Sequence, residues 1–229
     1  MTMQSLNKLM WVLLLVPFVG CSQNKQFSND DYLYLVVDTT GTLMKYGYKD
    51  EQGKMVIPFG KYYMCFTDTI KTIGFVAIPK QGFWAINKNE DQLFKVYVYD
   101  NGPDRVRDGL FRILDEHDLI GFANMLGEVV IQPRFERVDH FSEGLAGFCE
   151  DCLYEPVLGL GGVVDNKALG RKIRGKYGFI NKKGEVVIAP KFDSIRWFEN
   201  GRAKVGIGDK EFYIDKMGSE LLFHNDEHD

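Results

Sequence analysis

Short apolar runs alternate along this chain with polar clusters of one recurring form, and the two together repeat. The segment Gly121-Phe122-Ala123-Asn124-Met125-Leu126-Gly127-Glu128-Val129-Val130-Ile131-Gln132-Pro133-Arg134-Phe135 aligns with Gly178-Phe179-Ile180-Asn181-Lys182-Lys183-Gly184-Glu185-Val186-Val187-Ile188-Ala189-Pro190-Lys191-Phe192. The match resumes at Phe141-Ser142-Glu143-Gly144-Leu145-Ala146 over Phe198-Glu199-Asn200-Gly201-Arg202-Ala203. An earlier copy runs from Gly47 to Pro58. A degenerate one begins near Trp84, with Asp108 to Ile113 as its later strand, and a partial one spans Phe212 to Gly218. The anchoring residues Asp50, Asn87, Asn124, Asn181 and Asp215 fall 37, 37, 57 and 34 residues apart. The long interval is one period plus an insertion within 149–172.

Each copy predicts a β-hairpin. In Asx-x-x-Gly the Asx side chain bonds the backbone ahead of it, and Gly accepts positive φ. A short aromatic strand such as Tyr177 to Ile180 precedes the turn and a β-branched one, Val186 to Ile188, follows it. Pro190, lacking an N–H, is expected to end the pairing. Phe192, Ile195 and Phe198 then return to the core as a bend. Gly201 to Ile207 gives the next strand, and Gly208 to Glu211 turns into the following copy.

With Tyr46-Gly47 and Tyr177-Gly178 at the starts of copies, the pattern resembles the WG-repeat (KWG-type) family. That resemblance implies β-hairpin repeats and an interaction role, and it carries no catalytic residues. A single copy cannot bury its own apolar face, so neighbours must stack. The expected fold is all-β, with tandem β-hairpin repeats stacked in an open curved array; a propeller-like ring is the alternative. Tyr32 to Gly41 is expected to cap the first copy as a hairpin.

The first twenty residues read differently. Lys8 precedes an apolar run, Leu9 to Val19, too short to span a bilayer and laid out like a secretory signal. Phe18-Val19-Gly20-Cys21 resembles the lipobox of bacterial lipoproteins, in which the cysteine is acylated and becomes the first mature residue. The resemblance implies a signal peptide over 1–20, lipidation at Cys21, a tether over 21–31 and a repeat domain over 32–229. Ser22 after the cysteine implies the outer membrane, with the body on its periplasmic or surface face.

Composition narrows the function. With 28 Lys+Arg against 32 Asp+Glu the net charge is −4, which argues against a nucleic-acid binder driven by phosphate contacts. Hydrophobic residues make up 45% of 229 residues, enough for a domain-sized core.

Candidate chemistry is sparse. Cys149-Glu150-Asp151-Cys152 has redox-motif spacing but no helix start to lower a thiolate pKa, so it reads as a local disulfide at the base of the insertion. Cys65 reads as a buried thiol. Leu158-Gly159-Leu160-Gly161-Gly162 lacks the lysine of a phosphate loop and reads as flexible insertion. With Val157, Leu158 and Leu160, that insertion is itself a candidate contact surface. His117 falls in a turn, and His224 and His228 in a polar tail; no metal site or cofactor is expected. Positions that vary between copies are available for function. His140 aligns with Trp197, so Trp197, Arg196, Arg202, Arg134 and Lys191 form a candidate binding face. The chain is expected to be a non-catalytic, membrane-anchored binder of another envelope protein or glycan. A glycan-acting enzyme and a structural assembly factor are the alternatives.

Overall fold

The computed structural model describes residues 27–28, 31–154, 157–159, 162–164 and 172–222. Cys21, the apolar run before it, His224 and His228 lie outside that set. Among the described residues all regular structure is strand. The chain builds five antiparallel units in sequence order. The first holds β1 (Leu33–Asp38), β2 (Lys45–Lys49) and β3 (Met55–Ile57). Two short strands, β4 (Met64–Cys65) and β5 (Thr69–Ile70), lead into the second: β6 (Ile73–Ile78), β7 (Gly82–Asn87) and β8 (Gln92–Val96). A small hairpin, β9 (Val98–Tyr99) and β10 (Gly102–Pro103), precedes the third: β11 (Leu110–Leu114), β12 (Ile120–Asn124) and β13 (Val129–Phe135). The fourth contains β14 (Leu145–Tyr154), β15 (Val157–Gly159), β16 (Gly162–Val164), β17 (Lys172–Asn181) and β18 (Val186–Phe192). After β19 (Ser194–Ile195) the fifth has β20 (Ala203–Ile207) and β21 (Lys210–Ile214), with Glu220 bridging Ile214 in place of a third strand.

One turn is reused throughout. Asn181 Oδ1 accepts the backbone N–H groups of Lys183 (2.9 Å) and Glu185 (3.0 Å), while Gly184 N–H returns to the Asn181 carbonyl (2.8 Å). The same backbone loop closes at Asp50, Asn87, Asn124 and Asp215. It also closes at Asp115, between β11 and β12, where His117 and Leu119 donate to the Asp115 carboxylate. Its fourth residue is left-handed in every copy. Glycine fills that place four times, but Glu90 (φ 69°) and Asp118 (φ 59°) take it in the other two.

A second turn, with positive φ at both central residues as in type I′ hairpins, recurs at Asp108-Gly109, Glu143-Gly144 and Asn200-Gly201. These turns are stitched together. Gly144 N–H donates to Asp108 Oδ2 (2.6 Å), and Gly201 N–H to Glu143 Oε2 (2.9 Å).

The prolines do not all end pairing as expected. Pro133 and Pro190 sit inside β13 and β18 as bulges: Phe122 faces Ile131 but Ile120 already faces Phe135, and Tyr177 regains Phe192 beyond Pro190. At Pro58, by contrast, the strand stops. The bulge is why the glycine before it is needed. A β-carbon on Gly47 would lie 2.7 Å from the Ile57 carbonyl oxygen, and Gly178 stands in the same relation to Ile188. In the second unit the place is Trp84, and β8 has no proline. There Trp84–Lys95 and Ala85–Phe94 pair without a break, and β8 runs on to bond β11. This fuses the second and third units into one seven-stranded sheet, whereas β3, β13 and β18 remain sheet edges.

Four apolar clusters lie between the five units. Leu33, Tyr48 and Ile57 meet Val76 and Ile86; Phe75 and Ala85 meet Phe111 and Ala123; Phe122 and Ile131 meet Phe141 and Phe148; Phe179 and Ile188 meet Phe198 and Val205. Equivalent aromatics make equivalent contacts: Phe122–Phe141 at 4.7 Å and Phe179–Phe198 at 5.0 Å, both edge to face. Burying one such side chain is worth about 1.5–3 kcal/mol, so most of the stability resides at the junctions. The turn glycines seat there too, Gly184 against Ile131 and Gly218 against Ile188. Five units with four shared cores make an open curved array. The outer face of the fifth unit carries Arg202, Lys204, Tyr213 and Glu211 rather than a further apolar layer among the described residues.

Two further expectations are corrected. Tyr32 to Gly41 is not a hairpin by itself: β1 pairs with β2, and with β5 on its other side. The insertion does not begin as a loop either. β14 and β17 continue as a ladder through Cys149–Tyr177 to Tyr154–Lys172, and the glycine-rich stretch forms the paired strands β15 and β16. Val157, Val163 and Val164 are β-branched residues that favour strand there, which a phosphate-loop comparison overlooks. Leu160 and Gly161 lie outside the described residues.

Candidate functional site

The segments leading into the type I′ turns hold the most unusual chemistry of the molecule. Asp139 N–H donates to the Gly147 carbonyl and Arg196 N–H to the Lys204 carbonyl, both at 2.8 Å, so these segments are equivalent in consecutive units. Three residues before each turn stand Arg105, His140 and Trp197. The His140 and Trp197 rings lie 5.6 Å apart, tilted by 41°. On its other side His140 lines a shallow groove with Arg105, Arg107, Tyr99 and Asp104. Tyr99 is carried there by the β9–β10 hairpin, whose turn residues Asp100 and Asn101 both have positive φ. The Arg105 guanidinium sits 5.9 Å from the Tyr99 ring. The outcome is a ridge crossing three units, with Trp197 48% and Tyr99 45% exposed.

The ridge rests on a buried ion pair. Arg112, the one cation in the apolar strand β11, donates through Nε (3.0 Å) and Nη2 (2.7 Å) to Asp104, and its backbone N–H adds a third bond to that carboxylate at 2.8 Å. Nη1 reaches the Val138 carbonyl, and the guanidinium covers the Tyr97 ring at 4.2 Å. Burial works against the Arg112 charge, but the Asp104 carboxylate outweighs it and raises its pKa. Asp139 lies beside this pair, 3.9 Å from Arg112 Nη1 and 3.3 Å from His140 Nδ1. Burial pushes its carboxyl up, yet His140 and Arg112 together hold it below the ordinary value.

The five residues expected to share a face do not do so. Trp197 and the exposed Arg196 belong to the ridge. Arg134 and Lys191 occupy the bulges of β13 and β18, where each covers its neighbouring phenylalanine, at 4.8 and 5.1 Å. Arg134 also donates to the Gly184 carbonyl, so its role is to join units. Arg202 covers Tyr213 at 5.0 Å on the end face. Repeat variability alone therefore selected too widely. It missed Tyr99, Arg105 and Arg107, although counting back from Asp108-Gly109, as from Glu143-Gly144, would have placed Arg105 over His140.

Cys149 and Cys152 are joined as a disulfide with Cα atoms 5.8 Å apart. They bracket a bulge where Asp151 has φ 51° and the register passes from Glu150–Lys176 to Leu153–Arg174. Cys65 is buried against Tyr48, and burial pushes its thiol up to about 11. His117 is exposed on its turn. Among the described residues no three His, Cys, Asp or Glu side chains gather as metal ligands.

Residues 46–67, 120–154 and 177–210 match the family model for the WG containing repeat. The chain is a WG-repeat protein. Its family repeat is out of phase with its sheets: the latter two matches start at the second strand of a unit and run through the third into the first strand of the next. Each WG repeat thus staples two neighbouring units covalently. The glycine of the motif is the one beneath the bulge, and the second unit, with Trp84 there, lies outside the matched regions. The chain matches no curated protein.

Proposed function

We propose that this WG-repeat protein is a non-catalytic binding module, held at a bacterial outer membrane by acylation of Cys21, that captures another envelope macromolecule along the ridge from Tyr99 to Trp197. The observation that carries this reading is the placement of Arg105, His140 and Trp197 at one repeat position in three consecutive units, two large aromatic rings being left half exposed. Aromatic and arginine side chains are the usual anchors of recognition surfaces. The carboxylates nearby support binding rather than acid–base chemistry: Asp104 is locked to Arg112 and Asp139 is held ionised. Anchoring is supported by the apolar run ending at Gly20-Cys21.

Photo-crosslinking in cells from position 105 or 197 should yield one dominant adduct, absent when the probe is placed at the exposed Leu43, in the β1–β2 loop of the first unit. Diffuse adducts, or the same pattern from all three positions, would contradict the ridge. Mass spectrometry of the purified chain should find acyl groups on Cys21, abolished in Cys21→Ala.

A further inference from the structure

We infer that the ridge formed by Tyr99, Arg105, His140 and Trp197 is a binding site for a linear anionic polysaccharide, with sugar rings laid on the aromatic faces and their carboxylates paired with Arg105 and Arg107. This rests on the ridge being the binding surface and goes on to name its ligand. The first argument is register. Equivalent positions on successive units present side chains at regular intervals along one line, which suits a chain of repeating residues more than a compact ligand. The groove between Arg105, Arg107 and His140 is shallow, so a polymer can lie along it.

The second argument is preorganisation. Asp139 accepts the His140 backbone N–H at 3.1 Å and lies within 3.3 Å of its ring nitrogen, and the His140 ring supports Trp197. Asp104, next to Arg105, is fixed by three bonds from Arg112. Rigid aromatic platforms lose little entropy on binding. Charge is the third. Asp104 is compensated by Arg112, and Asp108 and Glu143 face the amides of Gly144 and Gly201. Arg105, Arg107 and Arg196 are exposed, giving the ridge a cationic flank on a chain of net charge −4. Arginine pairs well with carboxylates. An acidic peptide fits less well. It would bind most simply by extending a sheet, but the edges β3, β13 and β18 stop at or bulge around Pro58, Pro133 and Pro190.

Calorimetric titration of the full chain in detergent tests this with polygalacturonate, poly-L-glutamate of similar charge, and neutral dextran. Polygalacturonate should bind with an affinity that falls as salt rises, poly-L-glutamate at least tenfold more weakly, and dextran not at all. Trp197→Ala and the pair Arg105→Ser with Arg107→Ser should each weaken polygalacturonate binding at least tenfold without changing the melting temperature. Equal binding of poly-L-glutamate and polygalacturonate overturns the polysaccharide assignment while leaving the ridge as the binding surface. No binding of polygalacturonate overturns the assignment too, and the crosslinking result then decides the ridge separately. Parental affinity in both variants overturns assignment and ridge together.

Discussion

The backbone of Gly121 passes so close under the carbonyl of Ile131 that a β-carbon there would lie 2.5 Å from the oxygen, and as near to Pro133 N. Nothing flexible surrounds it, because the clashing atoms are backbone. Gly121→Ala must therefore flatten the bulge or push the two strands apart. We expect a loss of about 3 kcal/mol, the upper range for overpacking. Gly41→Ala, where the nearest atom is 3.8 Å away and φ is ordinary, should change stability by less than about 0.5 kcal/mol. Urea midpoints of the two variants check the contrast.

Asn124 Oδ1 accepts two backbone N–H groups, from Leu126 and Glu128, each at 3.0 Å. Asn124→Ala leaves both without that partner and should cost about 1–2 kcal/mol, at roughly 1 kcal/mol net for each bond. Asn124→Asp keeps the acceptor, as Asp115 and Asp215 do in their own turns. Combined with Glu128→Gln, which removes the carboxylate that the new one would otherwise face across the lost Nδ2 bond, it should retain most of the stability. Equal loss in the two variants, measured by urea denaturation, would show that the turn holds without its side-chain acceptor.

What could be read in the chain was whatever repeats. The Asx turns, the hairpins around Asn124 and Asn181, and the stacking of Phe192 and Phe198 into shared cores all follow from aligned residues and local turn chemistry. The bulges were not legible, because Pro133 and Pro190 also fit a strand end, and only long-range pairing distinguishes the two. Nor was the second unit's completeness, since Glu90 in a left-handed position looks like a missing glycine. The ridge was half visible. His140 and Trp197 align in sequence, but Tyr99 arrives on an extra hairpin outside the period, and Arg112 in an apolar strand signals a buried partner without naming it.

That partner makes a third prediction. Arg112 and Asp104 are 4% and 3% exposed, so either one alone is a charge in an apolar junction. Arg112→Met or Asp104→Asn should each cost about 3–5 kcal/mol, as broken buried pairs do. The double variant should be considerably more stable than their sum predicts, because it buries no uncompensated charge. Strict additivity in a double-mutant cycle would mean the two charges are solvated separately.

The last prediction concerns alkaline pH. Cys65 is 6% exposed, and burial raises its thiol to about 11 although Tyr48 acts in the opposite direction. In the unfolded chain the thiol ionises near 8.5. A raised acid favours the folded state while it is protonated, so this contribution is complete below about pH 8.5 and declines as pH rises toward 11. The unfolded chain loses its proton first, and stability then falls with pH by linkage. The shift corresponds to on the order of 3 kcal/mol. The Tyr48 and Tyr62 hydroxyls are also raised by burial, and they add their own loss above about pH 10, the ordinary tyrosine range. The window from pH 8.5 to 10 therefore isolates the thiol. In a Cys65→Ala variant the slope of unfolding free energy against pH across that window should flatten relative to the parent, whatever the variant's overall stability. An unchanged slope would mean that Cys65 ionises as readily folded as unfolded.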